Sequence, residues 1–165
     1  MKSQIKAKLI YRIKICIWIM IIGLVLSGLT AFPIETELGA IARATAGWNF
    51  IGLNWLTTVY NAVKNTNQHY PYLSYGTDWL AFAHLLLAVL FIGPLKNPLK
   101  NNWVIEFGMI AAISVFPLAF IAGEIRGIPF FWKLIDCSFG VVALTVLLPS
   151  YRMIKRLERV DEIFH

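Results

Sequence analysis

The chain has 165 residues, 58% of them hydrophobic and only 15% charged, with a mean hydropathy of +0.66 and a formal net charge of +6. Soluble domains carry about 45–50% apolar and about 25% charged residues, so the composition argues against a water-soluble fold and for lipid as solvent. The basic balance does not point to nucleic acid. Eleven of the fifteen Lys and Arg lie in three short segments, 2–14, 96–100 and 152–159, that flank apolar runs, where basic residues act as cytoplasmic anchors.

A membrane-spanning helix needs about 20 mostly apolar residues to cross about 30 Å of hydrocarbon. The first such stretch is 15–32, ICIWIMIIGLVLSGLTAF, closed by Pro33. Its basic leader gives it some likeness to a signal peptide, but the apolar run exceeds a usual h-region and Leu29-Thr30-Ala31 is not a small-residue cleavage motif. Gly23, Ser27 and Gly28 form a small-residue patch suited to close helix contact.

An outer segment, 34–75, follows. Within WNFIGLNWLTTVYNAVK, Trp48, Ile51, Trp55, Leu56, Val59 and Val63 recur at helical spacing, with Asn49, Asn54, Thr57 and Asn61 largely between them. This predicts an amphipathic helix, either lying in the outer membrane interface or packed as a lid over the membrane helices. NTNQHYPYLSYG then reads as a turn. Its Tyr70, Tyr72 and Tyr75, with Trp79, suit an aromatic belt where the chain re-enters lipid.

Three more apolar stretches are expected to span the membrane, at about 76–95, 103–122 and 129–149, leaving a tail at 150–165. Backbone polar groups in lipid are satisfied only by helices or closed barrels, and no alternating, turn-punctuated pattern supports a barrel. The expected fold is an all-α integral membrane protein: one domain over 1–165, four transmembrane helices in a single bundle, both termini cytoplasmic. A multi-pass protein of the plasma (inner) membrane is implied. Pro117 in the third helix frees the carbonyl of Ile113 and predicts a kink.

Ionisable residues inside such segments cost at least about 2.5–3.5 kcal/mol on insertion scales, so they turn inward and pair. In YGTDWLAFAH, Asp78 falls in the first turn of a helix starting near Gly76, where a carboxylate complements free N–H groups. His84 lies about 9 Å deeper and about 240° round the helix, so the two share no face. The stretch GEIRGIPFFWKLIDCSFG supplies Glu124, Arg126, Lys133 and Asp136 at the outer 3–4 turn and below it. These six residues define a candidate polar pocket in the outer half, with His84 and Asp136 as its floor. A purely structural alternative pairs Lys133 with Asp136 along one helix and satisfies His84 with a carbonyl or Ser138. Glu106, beside Asn101 and Asn102, reads as helix-end stabilisation.

Familiar chemistries lack their residues. A haem held by two axial His is disfavoured, since only His84 lies in a span while His69 and His165 lie outside. A tetrahedral zinc site has no ligand set, so no metal site is expected. Cys16 and Cys137, at opposite ends of their helices, are unsuited to a disulfide. The leading expectation is a non-catalytic ligand-binding or accessory subunit of a membrane complex. The partners implied are the lipid bilayer, a lipid or quinone ligand and another membrane protein. One alternative is a membrane enzyme or redox subunit acting on a lipid or quinone at the outer leaflet. The third is an ion or proton pathway, for which the inner half offers little beyond Glu106.

Overall fold

The computed structural model describes residues 2–48 and 51–162. Asn49, counted on the polar side of the outer helix, and His165 lie outside the described residues. Seven helices occur in the order α1 (Lys2–Ala31), α2 (Ile34–Ala44), α3 (Ile51–His69), α4 (Pro71–Leu90), α5 (Ile92–Lys96), α6 (Asn102–Ile125) and α7 (Phe130–Glu162), with no strand among the described residues. Four stretches are long and apolar enough to cross a membrane: Gln4–Ala31, Pro71–Lys96, Asn102–Ile125 and Phe130–Val160. This is the make-up of a multi-pass membrane protein.

The membrane helices run past their expected ends. Helix α1 begins at Lys2 rather than near residue 15, because Lys, Gln, Ile, Ala, Leu and Arg of the basic leader are mostly good helix formers. The 33 residues of α7 would extend about 50 Å, well beyond the hydrocarbon thickness. Pro149, expected to end this helix, lies inside it. A proline removes one backbone hydrogen bond and bends the helix. Here the continuation is held by packing, since Ile154 and Leu157 are fully buried. Pro117 likewise lies inside α6.

The start of α4 is also earlier than expected. Pro71 opens it, a position where its missing N–H costs nothing, and the expected turn over NTNQHYPYLSYG shrinks to a break at Tyr70. The polar residues there tie helices together. Asn67 donates through Nδ2 to Glu35 Oε2 at 2.6 Å, and Ser74 donates to Asn67 Oδ1. Helix α2, within the outer segment, was not expected at all.

The chain divides into two compact units. The first combines the chain up to Ile22 with everything from Ala88 on. Its core comprises Ile13, Ile17, Phe91, Val104, Ile105, Leu147, Ile154 and Leu157. Helices α6 and α7 form an antiparallel hairpin whose register is fixed by close approaches: Gly108 lies against Leu147, Gly140 against the backbone of Ala112, and Gly123 against Lys133. The turn into α6 is built by asparagines. Asn101 donates to the carbonyls of Gly93 and Asn97, and Asn102 donates to Glu106 Oε1 at 2.8 Å.

The second unit is Gly23–Leu87. The end of α1 meets α4 where Gly28 faces Ala81 and Leu85, whereas Gly23 touches nothing. Helices α2 and α3 pack together, with Gly39 against the ring of Tyr60. On α3, Trp55, Leu56, Val59 and Val63 are half-buried while Asn54, Thr57 and Asn61 are exposed.

Large apolar side chains remain uncovered along the spanning helices, among them Leu118, Phe139 and Ile125, the last 78% exposed. Only 17–22% of the residues in each apolar window are buried within the chain. Water is therefore not a plausible neighbour for these surfaces.

The hairpin register gives a direct test. A Cβ at Gly140 would sit 2.6 Å from the carbonyl oxygen of Ala112, a backbone atom with little room to yield. Gly140→Ala is expected to cost about 1–3 kcal/mol through overpacking. Gly23→Ala, into open space, should be neutral or stabilise by up to about 1 kcal/mol through helix propensity. Unfolding of both variants in mild detergent measures the contrast.

Candidate functional site

The turn between α6 and α7 joins the two helices of the first unit's hairpin. Helix α6 ends in a glycine cap. Gly127 has φ +65°, its N–H reaches the carbonyl of Glu124 at 3.1 Å, and the N–H of Ile128 reaches that of Gly123 at 2.8 Å. These two bonds are the Schellman pattern that closes a helix end. Two residues later the Pro129 carbonyl accepts the N–H groups of Trp132 and Lys133, starting α7. The spacing G-x-x-x-G-x-P over 123–129 carries this cap in the sequence, since Gly just past a helix and Pro soon after mark a stop.

The turn brings Glu124 and Lys133 together. Lys133 Nζ donates to Glu124 Oε2 at 2.6 Å, with the lysine side chain 7% and the glutamate 79% exposed. The aliphatic stem of Lys133 lies across Gly123, where a Cβ would come within 3 Å of it. Lysine thus buries its methylenes and extends its charge to the exposed end of the hairpin, as long basic side chains do in apolar surroundings. The pairing expected within α7, Lys133 with Asp136, is replaced by one across the turn. The reason is geometric: the missing side chain at Gly123 makes room for the lysine stem on its way to Glu124. Gly123 itself was not among the expected site residues.

Arg126 and Asp136 line one hollow of about 250 Å³, whose other walls are Val115, Leu118, Ala119, Ala122, Gly123 and Ile128. Arg126 is exposed at the cap of α6, and Asp136 is half-buried on α7. Among the described residues neither has an ion-pair partner. Cys137, next in the chain, is buried as a free thiol, and Cys16 is also free. No group of three or more potential metal ligands occurs among the described residues.

Asp78 and His84 belong to the second unit. Asp78 is eight residues into α4, because the helix opens at Pro71; the first-turn role expected for it is lost. It lines a separate hollow of about 280 Å³ with Phe32, Tyr75, Trp79 and Phe82, three of whose rings form an edge-to-face series. His84 is half-buried, and its Nδ1–H donates to the carbonyl of Leu80 at 2.8 Å. With a carbonyl as its partner, Nδ1 is the donating nitrogen of the ring.

Of the six expected site residues, then, four meet at the α6–α7 turn, as one ion pair and one unpaired couple. Comparison with protein-family models, curated proteins and solved structures finds no match to this chain.

The ion pair makes an asymmetric prediction. Glu124→Gln leaves a buried lysine without its partner, whereas Lys133→Met removes the charge and keeps the apolar stem. The melting temperature in mild detergent should fall in Glu124→Gln and fall less in Lys133→Met. The double variant should resemble Lys133→Met.

Proposed function

We propose that this chain is a polytopic membrane protein with both termini in the cytoplasm that binds a small amphiphilic ligand, non-catalytically, in the outer half of the α6–α7 hairpin. The observation that carries the reading is the hollow holding Arg126 and Asp136. It joins two opposite, unpaired charges to a predominantly apolar wall. Ligand sites have this make-up: mostly apolar lining, with a few polar groups that fix orientation. A half-buried carboxylate beside apolar walls is costly without a partner, and a ligand that meets both Asp136 and the exposed Arg126 relieves that cost.

The orientation rests on the basic residues. Lys2, Lys6, Lys8, Arg12 and Lys14, then Lys96 and Lys100, then Arg152, Lys155, Arg156 and Arg159 all assign the same side to the cytoplasm. The α6–α7 turn is then external, as are α2 and α3. On this reading α2 and α3 lie along the outer interface, with the exposed Trp48 at the headgroup level.

One observation favours a second reading, a membrane enzyme or redox subunit acting on a lipid or quinone. The Nδ1–H bond from His84 to Leu80 makes Nε2 the ring nitrogen that acid–base chemistry would use. In an enzyme His84→Gln should abolish turnover of the lipid or quinone with the melting temperature unchanged; in a binder it should change neither ligand content nor melting temperature.

Two experiments test the main reading. Mass spectrometry of the protein purified in mild detergent should find an amphiphile in the wild type and lose most of it in Arg126→Gln and in Asp136→Asn, with melting temperatures little changed. Equal content in all three would remove the hollow as a ligand site. For orientation, a chain with Cys16 and Cys137 replaced by Ala should be labelled by an impermeant thiol reagent in intact cells at Lys64→Cys. At Lys100→Cys it should be labelled only after permeabilisation.

A further inference from the structure

We propose that the occupant of this hollow is a membrane amphiphile whose headgroup carries its anion outermost and a primary ammonium between that anion and its chain, as in a long-chain amino-alcohol phosphate. The inference rests on the reading of the hollow as a ligand site and names the chemistry that site selects.

Charge accounting comes first. Of the four ionisable residues at the α6–α7 turn, Lys133 and Glu124 neutralise each other at 2.6 Å. This leaves Arg126 and Asp136, one charge of each sign, lining the same hollow. A neutral quinone would leave both unmatched. An anionic lipid lacking a donor would satisfy Arg126 and set its phosphate against the carboxylate of Asp136. A zwitterion matches both, through charge-assisted hydrogen bonds of the stronger kind.

The order of the two charges narrows the class. Arg126 caps α6 and is exposed at the end of the hairpin. Asp136 lies six residues beyond Phe130, the first residue of α7, or about 9 Å further in along the helix. The anion therefore sits at the rim and the cation inboard of it. Phosphatidylethanolamine has the reverse order and would present its ammonium to the guanidinium. In a long-chain amino-alcohol phosphate the phosphate is terminal and the amine is on the adjacent carbon, toward the chain.

The walls supply the remaining requirement. Val115, Leu118 and Ala119 precede Arg126 on α6 and so lie further from the end of the hairpin than it does, and a hollow of about 250 Å³ takes a headgroup with a few carbons. The rest of a chain would continue over the exposed apolar surface, where Leu118 is 66% and Ile121 63% exposed. A soluble amino-alcohol phosphate would gain nothing from that surface, so the membrane is the source.

Binding to the detergent-purified full chain tests the inference with three probes: sphinganine 1-phosphate, lysophosphatidic acid and lysophosphatidylethanolamine. The first should bind about tenfold or more tightly than the other two, the loss expected when a charged hydrogen-bonding partner is removed. Asp136→Asn should reduce it to the level of lysophosphatidic acid, and Arg126→Gln should weaken both phosphates. Ala122→Phe, which fills the hollow without altering its charges, should block all three. Equal binding of sphinganine 1-phosphate and lysophosphatidic acid to the wild type would overturn the inference, as would a preference that survives Asp136→Asn. In either case the ligand site would stand if Ala122→Phe still displaced the co-purifying amphiphile. Failure to bind any probe, with nothing co-purifying, would overturn the proposed function as well.

Discussion

The close seating of α7 on α6 is the constraint on which the outer site depends. At Gly140 the two backbones approach so nearly that a single added carbon would collide with the Ala112 carbonyl, and at Gly108 the missing side chain admits Leu147 and Phe91. In lipid there is little hydrophobic gain from joining two apolar helices, so contact area and small residues carry the association. Register follows from these contacts. Once Gly140 is opposite Ala112, Lys133 must pass over Gly123, and Arg126 and Asp136 must share a hollow.

Within that register the charges sort themselves by what burial costs them. Lys133 is the deeply buried cation of the hairpin, and its stem is long enough to bring the ammonium to an exposed carboxylate. The pair needs no further partner. Arg126, on the cap, and Asp136, on α7, line one hollow without forming an ion pair, and this is what turns a structural turn into a candidate site. The glycine cap matters here as well. The positive φ of Gly127 reverses the chain within four residues, so Arg126 is held at the rim and does not drift along a longer loop.

The end of the first unit away from the α6–α7 turn has a different character. Ile13, Ile17, Val104, Ile105, Leu147, Ile154 and Leu157 make it the best-packed region of that unit, while the apolar faces further along α6 and α7 stay open. The second unit is held by a polar chain, Glu35 to Asn67 to Ser74, that links α2, α3 and α4. It carries its own aromatic hollow at Asp78.

Much of this was legible in the linear chain, because lipid imposes rules a sequence cannot hide. Four runs of about 20 apolar residues had to be helices, and Glu124, Arg126, Lys133 and Asp136 had to be reckoned with as costly groups near one turn. What the sequence could not assign was partnership. Lys133 stands three residues from Asp136 and nine from Glu124, and it pairs with the latter because Gly123, on another helix, opens a path for its stem. Helix ends were misjudged for a similar reason. Pro149 signals a stop by its own geometry, yet α7 continues because Ile154 and Leu157 are buried by residues distant in the chain. Asp78 loses its place in a first turn because Pro71 and the Asn67–Ser74 contact extend α4 backwards. Propensity and hydropathy are properties of short windows. Which charge meets which, and where a helix is held past its natural end, depend on packing between segments far apart in sequence.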